Sequence, residues 1–222
     1  ELRIVLLGKS DDKKTALGNI IVGKKEFSVQ RFSGGKHCEA ARGTWNKKPF
    51  TVVKTPDMFN LSEEIRKKVV KRCVDLCSPG PNVLLLLVKH SDFTEENRKT
   101  LKFILSLFGE DAFKHSMVIM TQNEDRQNQS VEKLLQDCEQ KQHRINLDKK
   151  DPSGHEVQEL MQKMQTIVSD HRGGYLRVTE EEDQTVLNLV LCGRRGAGKT
   201  SAVNAILGPK KLGGPKDSLE CV

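Results

Sequence analysis

The sequence has no long apolar run. Its longest uninterrupted one, Val83–Val88, is six residues long, whereas a helix that crosses a membrane needs about 20 apolar residues. The run therefore predicts a buried strand rather than a membrane span.

Cysteine pairs of the C-x-x-C type are also absent. The six cysteines show no metal-ligand spacing with the histidines; they are Cys38, Cys73, Cys77, Cys138, Cys192 and Cys221. This pattern predicts neither a disulfide framework nor a zinc site. A reducing setting, the cytoplasm, fits this cysteine usage better than an oxidising one.

Aromatic residues are sparse at 5%, and no nucleic-acid-binding motif occurs. We therefore expect no nucleic-acid partner. The formal net charge is +7, but the lysines and arginines are interleaved with Asp and Glu. This charge fits either a solvated basic face or a surface for anionic lipid or an acidic partner.

A damaged phosphate-binding loop follows the first predicted strand, Glu1–Leu7. In the motif G-x-x-x-x-G-K-[ST], backbone amides surround phosphates, the Lys reaches the β- and γ-phosphates, and the Ser/Thr hydroxyl holds Mg²⁺. Gly8, Lys14 and Thr15 stand in this frame, but Lys13 replaces the second glycine. Taken alone, the segment is more typical of a strand followed by a charged turn.

An intact copy of the motif lies 185 positions downstream. Leu187–Gly208 aligns without a gap with Leu2–Gly23 and carries the full G-x-x-x-x-G-K-T frame. A complete motif between a predicted strand and a predicted helix indicates a phosphate-binding loop. The expected nucleotide ligands of this loop, with Thr200 also on Mg²⁺, are Gly193, Gly196, Gly198, Lys199, Thr200 and Ser201.

Strands and helices alternate along the chain. The periodicity predicts strands over 1–7, 40–45, 50–53, 83–88, 116–120 and 143–147, and helices over 15–22, 63–77, 95–108, 130–141 and 154–170. Such alternation predicts an α/β fold of the P-loop GTPase type: a doubly wound, mostly parallel sheet in three α/β/α layers. The loops that follow the strands then share one edge, where ligands bind.

The repeat also predicts the domain organisation. Residues 1–171 form one complete domain, residues 172–186 a linker, and residues 187–222 the start of a second domain. The linker contains Gly173, Gly174 and the acidic run Glu180–Asp183. We interpret the chain as part of a longer multidomain protein.

Several sequence blocks are distinctive. They include ARGTW at 41–45, SPGP at 78–81, FTEE at 93–96 and LFGE at 107–110. In these blocks the sequence resembles the GIMAP family, the immunity-associated nucleotide-binding GTPases with an AIG-type G domain. The resemblance spans about residues 1–170 and resumes at 187–222.

The resemblance implies a GTP-binding protein with several G domains that uses GTP or GDP and Mg²⁺. It further implies self-association through the nucleotide face and scaffolds at internal membrane surfaces. The nucleotide ligands that it implies in the first domain, with Thr15 also on Mg²⁺, are Gly8, Lys14, Thr15, Ala16, Asp125 and Asn146.

The first domain departs from the family at several nucleotide-contacting positions. A glycine-rich run is replaced by Asp11–Lys13, and the switch I threonine aligns with Gly35. The D-T-P-G turn reads Lys54–Asp57. In the base-specificity loop the acidic base reader is kept as Asp125, but its lysine is Asn123.

Each departure weakens a phosphate or metal contact. Lys13 adds a Cβ where glycine lets the backbone approach phosphate. One acidic side chain about 4 Å from a phosphate charge costs roughly 4 kcal/mol at an effective dielectric of about 20, which applies to Asp11 and Asp12. Lys54 replaces a carboxylate that supports Mg²⁺, and Asp57 places negative charge near the γ-phosphate.

Three functions remain open for the first domain. A GTP-hydrolysing switch is favoured by Lys14, Thr15 and Asp125, whereas the clustered losses favour a pseudo-GTPase interaction module. An ATP-using kinase-like protein is favoured only by the second loop taken alone. No catalytic residue is predicted: His37 and His90 could each orient a water molecule, but both are better explained as surface histidines. The pseudo-GTPase fits the first domain best, and GTP binding best describes the whole protein.

Overall fold

The structure is a computed structural model that describes residues 1–29, 37–121, 127–147 and 154–178, and individually residues 194, 196, 198, 199 and 201. The chain divides into two compact units, Glu1–Thr179 and Glu180–Val222. The helices and strands given below belong to the first unit.

The first unit alternates strands with helices, as predicted. In chain order the elements are β1 (Leu2–Leu7), α1 (Asp11–Val22), β2 (Glu39–Trp45), β3 (Lys48–Lys54), α2 (Glu63–Leu76), β4 (Val83–Val88), α3 (Glu95–Ser106), β5 (Ser116–Met120), α4 (Gln129–Asp137), β6 (Gln142–Arg144) and α5 (Gly154–Asp170).

The six strands form one mostly parallel sheet in the order β2-β3-β1-β4-β5-β6. Only the β2–β3 pair is antiparallel within this sheet. Strand β1 lies inside the sheet, with Val5 opposite Val53 of β3 on one side and Leu84 of β4 on the other. The loop after β1 therefore opens near the middle of one sheet edge, where doubly wound folds bind ligands.

Helices cover both faces of the sheet and complete three layers. Val70 of α2, Leu105 of α3 and Leu134 of α4 pack in one buried cluster with Val5 and other side chains of the sheet. Successive side chains along a strand point to opposite faces of the sheet. The side chains on the second face pack against α1 and α5. This arrangement confirms the predicted doubly wound α/β fold.

Helix α1 begins four residues earlier than predicted, at Asp11 rather than Thr15. Ser10 caps it, since its hydroxyl accepts a hydrogen bond from the Lys13 backbone N–H at 3.2 Å. Asp11 and Asp12 lie in the first turn, where negative charge stabilises a helix. The prediction treated residues 9–14 as a phosphate loop, but most of them are helical.

The β2–β3 hairpin is tighter than predicted. Its turn consists of Asn46 and Lys47, with φ of 49° and 63°. Two consecutive residues with positive φ are typical of the two-residue hairpin turn whose twist matches that of the strands. Strand β3 therefore begins at Lys48, and Pro49 lies within the strand rather than in the turn.

The predicted boundaries of α4 and β6 were also wrong by a few residues. Asn128, not Ser130, caps α4, since its side-chain oxygen accepts hydrogen bonds from the backbone N–H groups of Ser130 and Val131 at 2.9 and 3.3 Å. Helix α4 ends at Asp137 and not near Lys141. Strand β6 then begins at Gln142 instead of His143.

Part of the segment predicted as a linker belongs to the first unit. Leu176 is 3% exposed, and its backbone N–H donates to the Pro81 carbonyl at 2.8 Å. A Cβ at Gly80 would lie 2.2 Å from the Leu176 carbonyl oxygen, so only glycine fits there. This contact gives the SPGP block a structural role.

The apolar run Val83–Val88 forms the buried strand β4, as predicted. Across the described ranges of the chain, no helix combines the length and apolar character that crossing a membrane requires.

Gly8 supplies the first testable prediction. A Cβ at this position would lie 2.8 Å from the carbonyl oxygen and 3.0 Å from the Cβ of Leu87, next to backbone that cannot easily move. We expect Gly8→Ala to lower the free energy of unfolding by about 1–3 kcal/mol in urea denaturation.

Gly154→Ala is the matched control, because a Cβ there meets no atom within 4 Å. Its effect should stay within about 0.5 kcal/mol. Equal losses in the two variants would contradict the close approach of β1 and β4 at Gly8.

Candidate functional site

The carboxyl ends of the parallel strands bring the expected ligand loops to one edge. Gly8 follows β1, Lys54 ends β3, Thr121 follows β5, and Asn146 lies two residues beyond β6. The structure therefore places at a single edge four segments that are far apart in the sequence.

Lys14 of the first loop is fully buried at this edge. Its Nζ donates to the Gly8 carbonyl oxygen at 2.8 Å. Burial lowers the pKa of Lys14 from its usual 10.5 to about 8, although the nearby carboxylates of Asp11 and Asp57 partly oppose this shift. Lys14 thus lies at the position of the motif lysine, and its ammonium binds the Gly8 carbonyl oxygen.

Lys54 lies beside Lys14, and only 1% of it is exposed. Its Nζ donates to the Thr15 hydroxyl at 3.1 Å and to the Ser28 carbonyl oxygen at 2.6 Å. The same ammonium forms ion pairs at 3.4 Å with both Asp11 and Glu39. Oxygen atoms from α1, β2 and the segment after α1 therefore surround one positive charge; we call this group the Lys54 cage.

The Lys54 ammonium contacts the side chain that the motif assigns to Mg²⁺. The Thr15 hydroxyl is the expected metal ligand, yet its oxygen accepts a hydrogen bond from the Lys54 ammonium. Mg²⁺ requires near-octahedral oxygen ligands at about 2.0–2.1 Å, and an ammonium bound to the same oxygen takes that space. The residues of the first domain do not fit Mg²⁺ in this arrangement.

Asp57 places negative charge on the phosphate side of the site. Its carboxylate accepts hydrogen bonds from the Phe59 backbone N–H and the Asn60 side chain, both at 2.9 Å. It also interacts electrostatically with Lys14. A γ-phosphate near Lys14 would therefore meet a carboxylate that the following turn holds in place.

The backbone of the first loop differs from that of the second. Gly196 and Gly198 have φ of 83° and 76°, a left-handed conformation that lets successive N–H groups point to one anion. The corresponding residues of the first loop, Asp11 and Lys13, are helical. There the N–H groups of Lys13 and Lys14 donate to Ser10 instead.

The remaining predicted site residues lie in the first unit, in the second unit or outside the described residues. Ala16 is half-buried in α1, and Asn146 is half-buried at the edge described above. In the second unit, Lys199 donates through its Nζ to the Arg194 carbonyl oxygen at 2.9 Å. Gly196, Gly198 and Ser201 are exposed. The predictions for Gly35, Asn123, Asp125, Gly193 and Thr200 lie outside the described residues.

Sequence reasoning missed two members of the Lys54 cage. Glu39 lies opposite Lys54 in the antiparallel register of β2 and β3, and a two-residue turn at Asn46 and Lys47 would have predicted this pairing. Ser28 contributes its backbone carbonyl, for which the sequence carries no signal.

The strand order, the helix that follows the first loop and the buried lysine at its start define an α/β G domain of the P-loop GTPase class. Solved structures share this fold. Toc33 from Arabidopsis thaliana, in a dimerization-deficient mutant, has a TM-score of 0.62 at 12% identity and covers 80% of this chain and 87% of its own. The cytosolic domain of the T. maritima FeoB iron transporter has a TM-score of 0.52 at 17% identity and covers 96% and 77%.

A profile of the AIG1 family matches residues 2–185. The chain therefore belongs to the AIG1 family, as the sequence resemblance implied.

Curated relatives agree with this assignment. Human GTPase IMAP family member 8 is 28% identical over 261 residues, which cover 94% of this chain and 39% of that protein. Immune-associated nucleotide-binding protein 7 of Arabidopsis thaliana is 34% identical over 126 residues, 53% of this chain and 40% of that protein. The chain thus spans about two fifths of the length of these relatives.

The burial of Lys14 predicts a distinctive pH dependence. Its pKa in the folded chain lies below that of an unfolded lysine, so the unfolded chain binds more protons between pH 8 and 10.5. The free energy of unfolding should therefore rise with pH across this window.

A Lys14→Met variant lacks this contribution. The stability of the unmodified chain relative to the variant should increase by about 3 kcal/mol between pH 7 and pH 10.5. Urea denaturation at a series of pH values measures the difference. A difference that does not change with pH would show that the Lys14 ammonium is not desolvated as the structure places it.

Proposed function

We propose that residues 1–171 form a pseudo-GTPase, a G domain of the AIG type that serves as an interaction or scaffold module and binds GTP or GDP weakly or not at all. Residues 187–222 then begin a second G domain, joined to the first by the linker at residues 172–186. The observation that carries the proposal is the hydrogen bond from the Lys54 ammonium to the Thr15 hydroxyl.

Electrostatics supports the loss of Mg²⁺ binding. A monovalent ammonium and a divalent ion about 4 Å apart repel each other by roughly 8 kcal/mol at an effective dielectric of about 20. The carboxylates of Asp11 and Glu39 would favour a cation, but they already form ion pairs with Lys54. Mg²⁺ would have to displace a buried side chain to reach Thr15.

The phosphate side of the site supports the same proposal. Asp11 and Asp57 both lie close enough to affect Lys14 electrostatically, so the positive charge that the motif reserves for phosphate already has carboxylate neighbours. The helical start of α1 removes the left-handed backbone that a phosphate-binding loop uses. An incoming polyphosphate would meet these acidic groups without the usual bridging metal ion.

For the longer protein we infer GTP binding through the second loop, with Mg²⁺ as cofactor. The second loop retains the full motif, and two of its glycines have the left-handed φ that phosphate binding requires. Toc33, which shares the fold, was crystallised with GDP and Mg²⁺. A protein that combines one altered G domain with a second, intact phosphate-binding loop would thus be a GTP-binding protein with an interaction module.

Self-association through the G-domain faces is part of the proposal. Dimerization is important for the GTPase activity of the chloroplast translocon components atToc33 and psToc159, whose structure shares this fold with a TM-score of 0.55. A cytoplasmic location, at internal membrane surfaces, is consistent with the cysteine usage and with the basic charge of the chain.

The second candidate is an active GTP-binding and GTP-hydrolysing switch. The observation that favours it is the retention of Lys14 and Thr15 in the positions of the motif, next to each other at the start of the site. In this alternative, nucleotide binding would displace Lys54 from Thr15.

A nucleotide titration separates the two candidates. In the whole chain with Lys199→Ala, which disables the second loop, we expect no calorimetric binding of GTP or GDP tighter than a Kd of about 100 µM, with or without Mg²⁺. A low-micromolar Kd that disappears on adding Lys14→Ala would establish the switch instead.

A Lys54→Asp substitution tests the Lys54 cage directly. Removing one partner of a buried ion pair costs about 3–5 kcal/mol, so the variant should unfold at lower temperature than the unmodified chain in EDTA. The new carboxylate joins those of Asp11 and Glu39, and Mg²⁺ should then restore part of the lost thermal stability.

Lys54→Met is the matched control, because it removes the positive charge without adding an oxygen ligand. We expect the unmodified chain to show no Mg²⁺ effect in thermal unfolding, Lys54→Met a weak one and Lys54→Asp the largest. An equal Mg²⁺ response in all three proteins would mean that Lys54 does not take the place of the metal.

A further inference from the structure

Two thiols lie in contact beside the candidate site. Cys38 directly precedes β2, and Cys73 lies in α2. Their Sγ atoms are 3.0 Å apart, and neither residue is in a disulfide. The Cys38 thiol also approaches the Val69 carbonyl oxygen of α2 at 3.7 Å. The functional role proposed above uses neither thiol.

We propose that Cys38 and Cys73 form a reversible disulfide when the chain meets a peroxide or a low-molecular-weight disulfide. Sulfur atoms in a disulfide are about 2.0 Å apart, so the pair needs to close by only about 1 Å. The bond would join the start of β2 to α2 and close a loop between residues 35 positions apart.

The surroundings of the two thiols set the order of reaction. Cys73 is fully buried, whereas Cys38 is half-buried. Burial, together with the neighbouring Cys38, raises the pKa of Cys73 and keeps it a thiol. Because Cys38 is the more exposed of the two, an oxidant from solution reaches its sulfur before that of Cys73. Cys38 is therefore the thiol that meets the oxidant first.

With hydrogen peroxide, the reaction has two balanced steps. The Cys38 thiolate attacks one peroxide oxygen, the O–O bond breaks, hydroxide leaves, and Cys38 becomes a sulfenic acid. The sulfur of Cys73 then attacks the sulfur of Cys38, the S–O bond breaks, and water leaves with the proton of the Cys73 thiol. Two thiols lose two electrons in total, and one peroxide is reduced to two waters.

With glutathione disulfide, the same product forms by exchange. The Cys38 thiolate displaces one glutathione thiolate to give a mixed disulfide, and Cys73 then displaces the second glutathione. A reducing thiol such as dithiothreitol reverses both routes.

The disulfide would stabilise the edge that carries the Lys54 cage. Glu39, which pairs with Lys54, directly follows Cys38. Cross-linking a loop of this length restricts the unfolded chain, and we expect Tm to rise by about 5 °C or more on oxidation.

Peptide mapping of the whole 222-residue chain tests the proposal. The reduced protein is treated with hydrogen peroxide or glutathione disulfide, free thiols are blocked with N-ethylmaleimide, and the protein is digested without reductant. We expect a peptide pair linked through Cys38 and Cys73, at least tenfold more abundant than any other cross-link and absent after dithiothreitol. A Cys38 linked mainly to another cysteine, or left unlinked to Cys73, would overturn the proposal.

Two variants give a second readout. Cys38→Ser should abolish the rise in Tm on oxidation, whereas Cys138→Ser, which alters a buried thiol at the end of α4, should retain it. A rise of equal size in Cys38→Ser would also overturn the proposal, even if Cys73 variants fail to fold.

Discussion

One buried ammonium organises the candidate site. The Nζ atom of Lys54 contacts oxygen atoms of Thr15, Ser28, Asp11 and Glu39, and these residues come from α1, the segment that follows α1 and the start of β2. A buried charge persists only when it is paired and hydrogen-bonded. The Lys54 cage supplies both. Charged protein groups therefore connect the loops that a metal ion and a nucleotide would otherwise bridge.

The acidic residues of the first loop, Asp11 and Asp12, have structural roles when Lys54 is present. Asp11 alone would repel a phosphate and weaken the loop, but beside Lys54 it becomes half of an ion pair. Ser10, Asp11 and Asp12 also begin α1 with a cap and favourable charges. The first loop thus gains helical structure and internal charge pairing where the second loop has left-handed glycines.

Much of the fold followed from the sequence because its signals are local. The buried strand β4 and helix α5 were predicted with their observed bounds, since an apolar run and a strong helical period determine each one. The start of α1 was predicted four residues too late because residues 9–14 were interpreted as a phosphate loop, whereas Ser10 caps the helix in the structure. The Lys54 cage was not predicted: the β2–β3 turn was expected to contain four residues, which hid the pairing of Glu39 with Lys54, and the Ser28 backbone carbonyl leaves no signal in the sequence.

A crystal structure of the chain grown with Mn²⁺ and a non-hydrolysable GTP analogue would show whether Lys54 takes the place of the metal, because the anomalous signal of Mn²⁺ marks every bound metal. We expect no manganese at the Thr15 hydroxyl, with the Lys54 ammonium bonded to that oxygen and to the Ser28 carbonyl. A manganese peak on the Thr15 oxygen, with Lys54 displaced and phosphates bound at Lys14, would show that the first domain binds metal and nucleotide.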